Sequence, residues 1–257
     1  VQGRLEIWIK TLDAGPITRI ASAGSMNYRP SWLPGGRAVS FISDAEARYS
    51  VFRAPADASA PMERVLKFPT SVDEAVWSRD GAWLVFRAGS GSGRHVFSVR
   101  PGVDSVPRPL ADGAGEEFSP SLSPDGHWLA YASTASGRDE VYVRPFPNTA
   151  GGKYQISPSG GREPLWSNSG RELFYRNAKG DLIAAAVDPG ASWHVSEQRQ
   201  LFSARSYLGE NRHRNYSVSP DDRSFYFVRS KLDVAAPTTY AVIFNWFEEL
   251  KAKVGAK

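Results

Sequence analysis

The stretch Leu122-Ser-Pro-Asp-Gly126 decides the fold, because it is one copy of a short turn that recurs along the chain. The four other copies align with it without gaps: Trp32-Leu-Pro-Gly-Gly36, Trp77-Ser-Arg-Asp-Gly81, Trp166-Ser-Asn-Ser-Gly170 and Val218-Ser-Pro-Asp-Asp222. Their first residues, called the anchors below, are 45, 45, 44 and 52 residues apart. A period of this length indicates a repeat architecture in which each copy is one supersecondary unit.

Every turn is followed by a pattern typical of a β-strand. Three and five residues after each turn stand two apolar or aromatic residues: Val39/Phe41, Leu84/Phe86, Leu129/Tyr131, Leu173/Tyr175 and Phe225/Phe227. Alternation with a period of two indicates a strand with one buried face. A third strand carries an aromatic residue 20 positions after three anchors, at Phe52, Phe97 and Tyr142, and a weaker fourth strand follows, as at Tyr154-Gln-Ile156. Each repeat therefore predicts four antiparallel strands, with Asp-Gly closing the first hairpin through a positive φ.

Four-stranded sheets of this length bury their faces by stacking around an axis, so the repeats predict an all-β fold, a β-propeller. We expect the anchor Trp and Leu residues to fill the space between neighbouring blades. Six blades are favoured, with a first blade that has only its third and fourth strands; the alternative is a five-bladed ring closed by pairing the N-terminal strands with the last repeat. The predicted single domain divides into repeats at about 1–26 (partial), 27–71, 72–115, 116–160, 161–210 and 211–244, followed by a helical tail at 245–257.

The Trp-Ser-Pro-Asp-Gly units resemble TolB-type propeller repeats, which also occur in prolyl-oligopeptidase-like peptidases. More specifically, the chain resembles the C-terminal propeller of bacterial eukaryotic-like serine/threonine protein kinases. Three stretches carry this resemblance: Phe118 to Pro147, Glu163 to Arg176, and Phe244-Asn-Trp-Phe-Glu-Glu-Leu-Lys251. The resemblance implies a sensing or interaction module of a larger bacterial signalling protein. It also implies an extracytoplasmic location if that protein is a membrane kinase, and a cytoplasmic one otherwise.

Several classes of function are excluded or disfavoured by composition and motif. There is no cysteine, which excludes disulfides and thiolate chemistry, and the net charge of +4 is spread along the chain, unlike the basic patch of a nucleic-acid binder. No apolar run approaches the roughly 20 residues of a membrane-spanning helix, so we expect no membrane insertion by this chain. Kinase motifs such as His-Arg-Asp and Asp-Phe-Gly are also absent.

Motifs for a metal or a nucleophile are equally weak. The four histidines, at 95, 127, 194 and 213, have no metal-binding spacing, so we expect no metal and no cofactor. The segment Gly89-Ser-Gly-Ser-Gly93 lies between two strand patterns and is interpreted as a hairpin loop rather than as the nucleophile elbow of a serine hydrolase.

The candidate site comes from strand geometry, because the first strand of a propeller blade runs beside the central channel. Three residues before the anchors stand polar side chains: Arg29, Glu74, Ser119, Glu163 and Asn215. Glu117, Arg162 and Arg214 are expected to join this mixed-charge ring. Convergent polar groups are typical of ligand sites; the alternative is that they only solvate a water-filled channel. Residues 203–215, which lengthen the last interval, are a weaker candidate for a binding loop.

The sequence thus favours a non-catalytic propeller that binds a protein, a peptide or a small ligand in its channel. Two alternatives stay open. One is the accessory propeller of a prolyl-oligopeptidase-like peptidase. The other is a propeller lyase or glycosidase, which would group Glu74, Glu117 and Glu163 with a histidine around one pocket.

Overall fold

The computed structural model describes residues 3–11, 15–21, 23–111, 113–188, 193–209 and 212–229, so the helix predicted at 245–257 lies outside the described residues. The strands, in chain order, are β1 (Trp8–Lys10), β2 (Ile17–Arg19), β3 (Asn27–Trp32), β4 (Ala38–Glu46), β5 (Arg48–Pro55), β6 (Glu63–Arg64), β7 (Val72–Trp77), β8 (Leu84–Ala88), β9 (His95–Val99), β10 (Arg108–Ala111), β11 (Glu117–Leu122), β12 (Trp128–Ser133), β13 (Glu140–Pro145), β14 (Tyr154–Gln155), β15 (Gly161–Trp166), β16 (Glu172–Asn177), β17 (Asp181–Asp188), β18 (His194–Ser203), β19 (Tyr216–Val218) and β20 (Phe225–Phe227).

The strands form antiparallel sheets in which sequence neighbours are also neighbours in space. Four sheets have four strands each, β3–β6, β7–β10, β11–β14 and β15–β18, and they are flanked by the two-stranded sheets β1–β2 and β19–β20. The predicted all-β fold with four-stranded blades is confirmed. In the described part of the chain, no helix is both long enough and apolar enough to span a membrane.

The repeated turn is built as its sequence predicts. In the copy between β11 and β12, Ser123 Oγ accepts a hydrogen bond from the backbone N–H of Trp128 at 2.9 Å, and Asp125 Oδ1 accepts one from that of His127 at 3.0 Å. Gly126 has a φ of 74°, the left-handed conformation that closes the hairpin. The last copy has Asp222 in place of glycine, and this residue adopts a φ of 59°. These aspartates therefore have a structural role in the turns.

Apolar side chains fill the spaces between successive sheets. Five clusters each join two consecutive sheets, from the β1–β2 region at one end to β19–β20 at the other. In the cluster between the second and third four-stranded sheets, Val85 and Leu110 pack with Leu129 and Tyr131. Burying such side chains stabilises by about 1.5–3 kcal/mol each. The stacked sheets, rather than any single sheet, therefore hold the fold together.

The anchors fill these spaces with one exception. Trp166 is buried against the preceding sheet, where its indole N–H donates to the backbone oxygen of Ser121 at 3.2 Å. Trp77 similarly donates to Ser40 Oγ at 3.0 Å. Trp32, however, has 54% of its surface exposed, so the prediction that it fills an interblade space was wrong. The sheet before it has only β1 and β2 in the described residues, and these do not cover the anchor.

Candidate functional site

The first strands of the four-stranded sheets, β3, β7, β11 and β15, lie next to one another and are called the inner strands below. Strand β7 contacts both β3 and β11, and β11 contacts β15. Each of these four strands has an irregular register with its second strand, located between Tyr28 and Ser31, Val72 and Glu74, Phe118 and Ser121, and Arg162 and Leu165. Such β-bulges re-aim side chains and are over-represented beside functional sites.

Three of the residues predicted from the anchor spacing lie in these bulges with a strained backbone. The φ angles of Arg29, Ser119 and Glu163 are 54°, 52° and 59°. The left-handed conformation costs a residue with a Cβ about 1–2 kcal/mol. Strain of this kind persists only where the surrounding structure holds it, and it clusters at functional sites. The repeat therefore places a strained polar residue at the same position of three inner strands. These three residues, together with Glu74 at the matching position of β7, are called the inner ring below.

A cleft of about 360 Å³ opens beside the first of these bulges. It is lined by Arg29, Asp73, Arg87, Arg94 and Arg212, and is called the arginine cleft below. Asp73 Oδ2 lies 3.0 Å from Arg94 Nε. With four guanidinium groups around it, the cleft is strongly basic in a chain whose overall charge is only slightly positive.

Glu116 is the carboxylate that holds the arginine cleft together. Its Oε1 accepts hydrogen bonds from Arg87 Nη2 at 2.9 Å and from Arg94 Nη1 at 3.2 Å, and its Oε2 pairs with Arg212. The buried Phe118 ring lies below, with the guanidinium carbons of Arg87 and Arg212 5.9 and 5.3 Å from its centroid. Guanidinium groups are attracted to the face of an aromatic ring, so Phe118 helps to hold both arginines in place.

A buried carboxylate and a histidine connect the inner strands with the loop before β19. Glu74 Oε2 lies 2.9 Å from His213 Nδ1, and Glu74 Oε1 accepts the backbone N–H of Ser119. Burial acts to raise the pKa of Glu74, but the hydrogen bond from His213 and the charges of His213 and Arg29 lower it below 4.5. Burial lowers the pKa of His213 below 6.5. The hydrogen bond with Glu74 and the charge of Glu74 act to raise this pKa, whereas the charges of Arg29 and Arg214 lower it further. The His213 ring and the Glu74 carboxylate therefore form one coupled hydrogen-bonded pair.

Glu163 is the centre of a second buried network. Its Oε2 accepts the backbone N–H of Asn215 at 3.1 Å, and its Oε1 lies 3.6 Å from Arg176 Nη1. The Tyr216 hydroxyl donates to its backbone oxygen at 2.8 Å. Burial raises the pKa of Glu163, while the charge of Arg176 opposes that shift. This network ties the β15 bulge to the start of β19.

The remaining predicted residues separate into different contacts. Arg162 Nε lies 3.8 Å from Glu163 Oε1, and Arg214 Nη1 donates to the backbone oxygen of Pro164 at 3.4 Å. Glu117 is buried and its Oε2 lies 2.5 Å from His95 Nδ1.

The four predicted residues with the least exposure do not line an open, water-filled channel. They are Glu74, Glu117, Ser119 and Glu163, with 1–3% of their surfaces exposed. Within the described residues, no three His, Cys, Asp or Glu side chains form a group that could hold a metal ion.

Sequence reasoning missed most of the arginine cleft. Arg87 and Arg94 belong to the hairpin β8–β9, and Glu116 immediately precedes β11, so none of them stands at the chosen distance from an anchor. The spacing of the histidines gave His213 no role, yet it contacts buried Glu74. The run Arg212-His-Arg214, in the segment that lengthens the last repeat, was the signal that could have identified this part of the site.

The geometry defines a β-propeller with a polar, strained inner ring, and comparisons with known proteins agree with this class. The crystal structure of TolB from Acinetobacter baumannii superposes with a TM-score of 0.68 at 15% identity, over 88% of this chain and 54% of that chain. A periplasmic gluconolactonase of Pseudomonas aeruginosa gives a TM-score of 0.54 at 20% identity, over 88% of this chain and 70% of that chain. At these identities the likeness concerns the fold.

The fold is that of a TolB-type β-propeller. Among curated proteins, a TolB homolog of Chlorobium luteolum is 24% identical over 141 residues, which are 55% of this chain and 31% of that protein. No family model matches the chain. The matched residues thus cover about a third of this relative and about half of the Acinetobacter structure.

Proposed function

We propose that this propeller is a non-catalytic binding module that docks a protein partner on its inner ring, at the end where the bulges and the arginine cleft lie. The observation that carries the proposal is the coincidence of two features at Arg29. This residue has a left-handed backbone in the β3 bulge, and its side chain lines the arginine cleft. Strained polar residues beside a partly open, charged cleft are typical of recognition sites.

The contacts of the buried carboxylates support binding rather than catalysis. Glu74, Glu117 and Glu163 each have a partner of their own, respectively His213, His95 and the backbone N–H of Asn215. A general acid and a general base must each reach the proton that they transfer on one bound substrate. Carboxylates that are separately engaged inside the protein are suited to holding the bulges in shape.

The resemblance to kinase-associated propellers extends the proposal to the larger protein. We expect this domain to be the interaction or sensing module of a bacterial signalling protein, such as a serine/threonine kinase, on the extracytoplasmic side of the membrane. The TolB likeness supports a propeller that works by binding. The alternative is that the same non-catalytic module binds a small ligand in its channel instead of a protein partner.

Site-specific photo-cross-linking tests the proposal. The photoreactive residue p-benzoylphenylalanine is placed at Ser92, in the loop two residues before Arg94, or at Arg79, in the turn at the other end of the inner strands. Both residues are exposed and neither lines the arginine cleft, so Arg79 serves as the control. In the cells of origin, position 92 is expected to give a discrete adduct with one protein. Equal labelling from both positions, or none from position 92, would contradict docking at the inner ring.

A thermal-shift screen tests the non-catalytic part of the proposal. The purified chain is mixed with divalent metals, sugars, lactones and nucleotides, because a ligand at a hundred times its Kd stabilises by about 2.7 kcal/mol. We expect no shift with any of these compounds. A metal- or sugar-dependent shift that is lost in both Glu74→Ala and Glu163→Ala would instead favour an enzyme with a channel site.

A further inference from the structure

We propose that the arginine cleft binds a carboxylate on an acidic segment of the partner, an inference that rests on the proposed function and names the chemistry of its site. Three of the arginines that line the cleft, Arg87, Arg94 and Arg212, share two carboxylates of the described residues, Asp73 and Glu116. These three guanidinium groups therefore have one more positive charge than the two carboxylates with which they form ion pairs.

The most buried of the four arginines has unused hydrogen-bonding capacity. Arg87 has only 3% of its surface exposed, and it lines the cleft. Its Nη2 donates to Glu116, but its Nε has no hydrogen-bond partner among the described residues. A buried donor without an acceptor is costly, particularly on a charged group. Since Arg87 lines the cleft, a negative charge bound there would stabilise this incompletely paired guanidinium group electrostatically.

Repulsion between the arginines points to the same ligand charge. Burial lowers the pKa of Arg212, and the neighbouring charges of Arg87 and Arg94 lower it further. Like charges held together in a partly desolvated site destabilise each other, so an anion that binds between them is favoured twice, by attraction and by relief of repulsion.

Glu116 shows which anion the cleft suits. One carboxylate of this chain already accepts contacts from three of the guanidinium groups. The planar fork of arginine matches the two oxygens of a carboxylate. Since Arg94 and Arg212 have 37% and 41% of their side chains exposed, a second carboxylate from outside can reach them. The cleft volume of about 360 Å³ accommodates an acidic side chain with part of its backbone.

Fluorescence polarisation of a labelled peptide tests this proposal. The probe is fluorescein-labelled hexaglutamate, and the peptide control is labelled hexaglutamine. Hexaglutamate is expected to bind, hexaglutamine is not, and binding is expected to weaken as salt screens the charges. Arg94→Gln and Arg212→Gln are each expected to weaken binding by about tenfold, as for the loss of a charge-assisted hydrogen bond. Arg79→Gln, at the far end of β7, is the matched control and is expected to leave the affinity unchanged.

A gain-of-affinity variant separates recognition from a loss of structure. Glu116→Gln removes the internal carboxylate that competes for the same arginines, while it keeps an acceptor for their N–H groups. We expect this variant to bind hexaglutamate several-fold more tightly. Melting temperatures of all variants are measured in parallel. Unchanged or weaker binding by a Glu116→Gln protein of normal melting temperature would overturn the proposal.

Different results would refute the carboxylate ligand and the docking function. Inorganic phosphate is titrated as a competitor. If phosphate binds more tightly than hexaglutamate, the carboxylate proposal is overturned and the cleft is assigned to a phosphate ligand. Hexaglutamate that binds no better than hexaglutamine, together with a protein adduct from position 92, would refute the carboxylate ligand and leave the docking proposal intact. The absence of that adduct would instead refute docking itself.

Discussion

The pair of His213 and Glu74 gives the sharpest stability prediction. In His213→Ala, Glu74 Oε2 loses the donor that lies 2.9 Å away, while Oε1 keeps the backbone N–H of Ser119. Leaving a buried charged acceptor without its donor costs about 1–3 kcal/mol or more. Since 30% of the His213 side chain is exposed, water will replace part of the lost contact. We therefore expect the free energy of unfolding to fall by about 2 kcal/mol.

Urea denaturation followed by tryptophan fluorescence measures this loss. For a domain of 150–250 residues, a change of 1 kcal/mol lowers the melting temperature by about 2–4 °C, so a shift of about 4–8 °C is expected in a thermal scan. His127→Ala is the matched control because His127 is exposed, and surface substitutions usually change stability by less than about 0.5 kcal/mol.

A double-mutant cycle attributes the loss to the pair. We expect Glu74→Gln and His213→Ala to be coupled, with the double variant less destabilised than the two single losses together. If His213→Ala unfolds no more easily than His127→Ala, or if the cycle shows additive losses, the reasoning about the buried pair is refuted.

Three further predictions concern the fold and its pH dependence. The pKa values of His213 and Glu74 are both lowered in the folded state, so for this pair the unfolded chain binds more protons. The stability difference between the native protein and His213→Ala, measured in urea titrations, should therefore be full above pH 6.5 and should shrink as the pH falls below it and again below pH 4.5; a difference independent of pH would contradict this. Trp166→Ala should cost about 3–5 kcal/mol by calorimetry or urea, whereas Trp32→Ala should be nearly neutral; equal losses would contradict the account of the anchors. Ser123→Ala removes the acceptor of a turn hydrogen bond and should lower stability by about 1 kcal/mol in the same assay.

The fold was predictable because its signals are local and repeated. The residues of one turn, such as Ser123, Asp125 and Gly126, suffice to specify a hairpin, and their recurrence gives the strand order of each sheet. The third-strand aromatic residues were also predictable from their fixed distance to the anchors. Phe97, for example, lies directly opposite Phe86 in the observed register. The exposure of Trp32 was not, because it depends on what the preceding sheet covers rather than on the repeat itself.

The site was predictable only in part. Counting back from the anchors identified the bulge residues Arg29, Ser119 and Glu163, because the inner strands repeat in register. It did not identify Arg87 or Arg94, whose role depends on which groups of the next sheet approach them. Contacts between sheets join residues that are distant in sequence, and the repeat pattern does not specify them.

Hydrogen–deuterium exchange of the chain, with and without the partner identified by cross-linking from position 92, tests the central claim most directly. If the inner ring is the docking surface, exchange is expected to slow at residues 27–31, 113–120 and 212–215, and to stay unchanged in the turns at 79–81 and 124–126. Protection confined to those turns or to the outer strands would contradict the claim and place the binding surface elsewhere on the propeller.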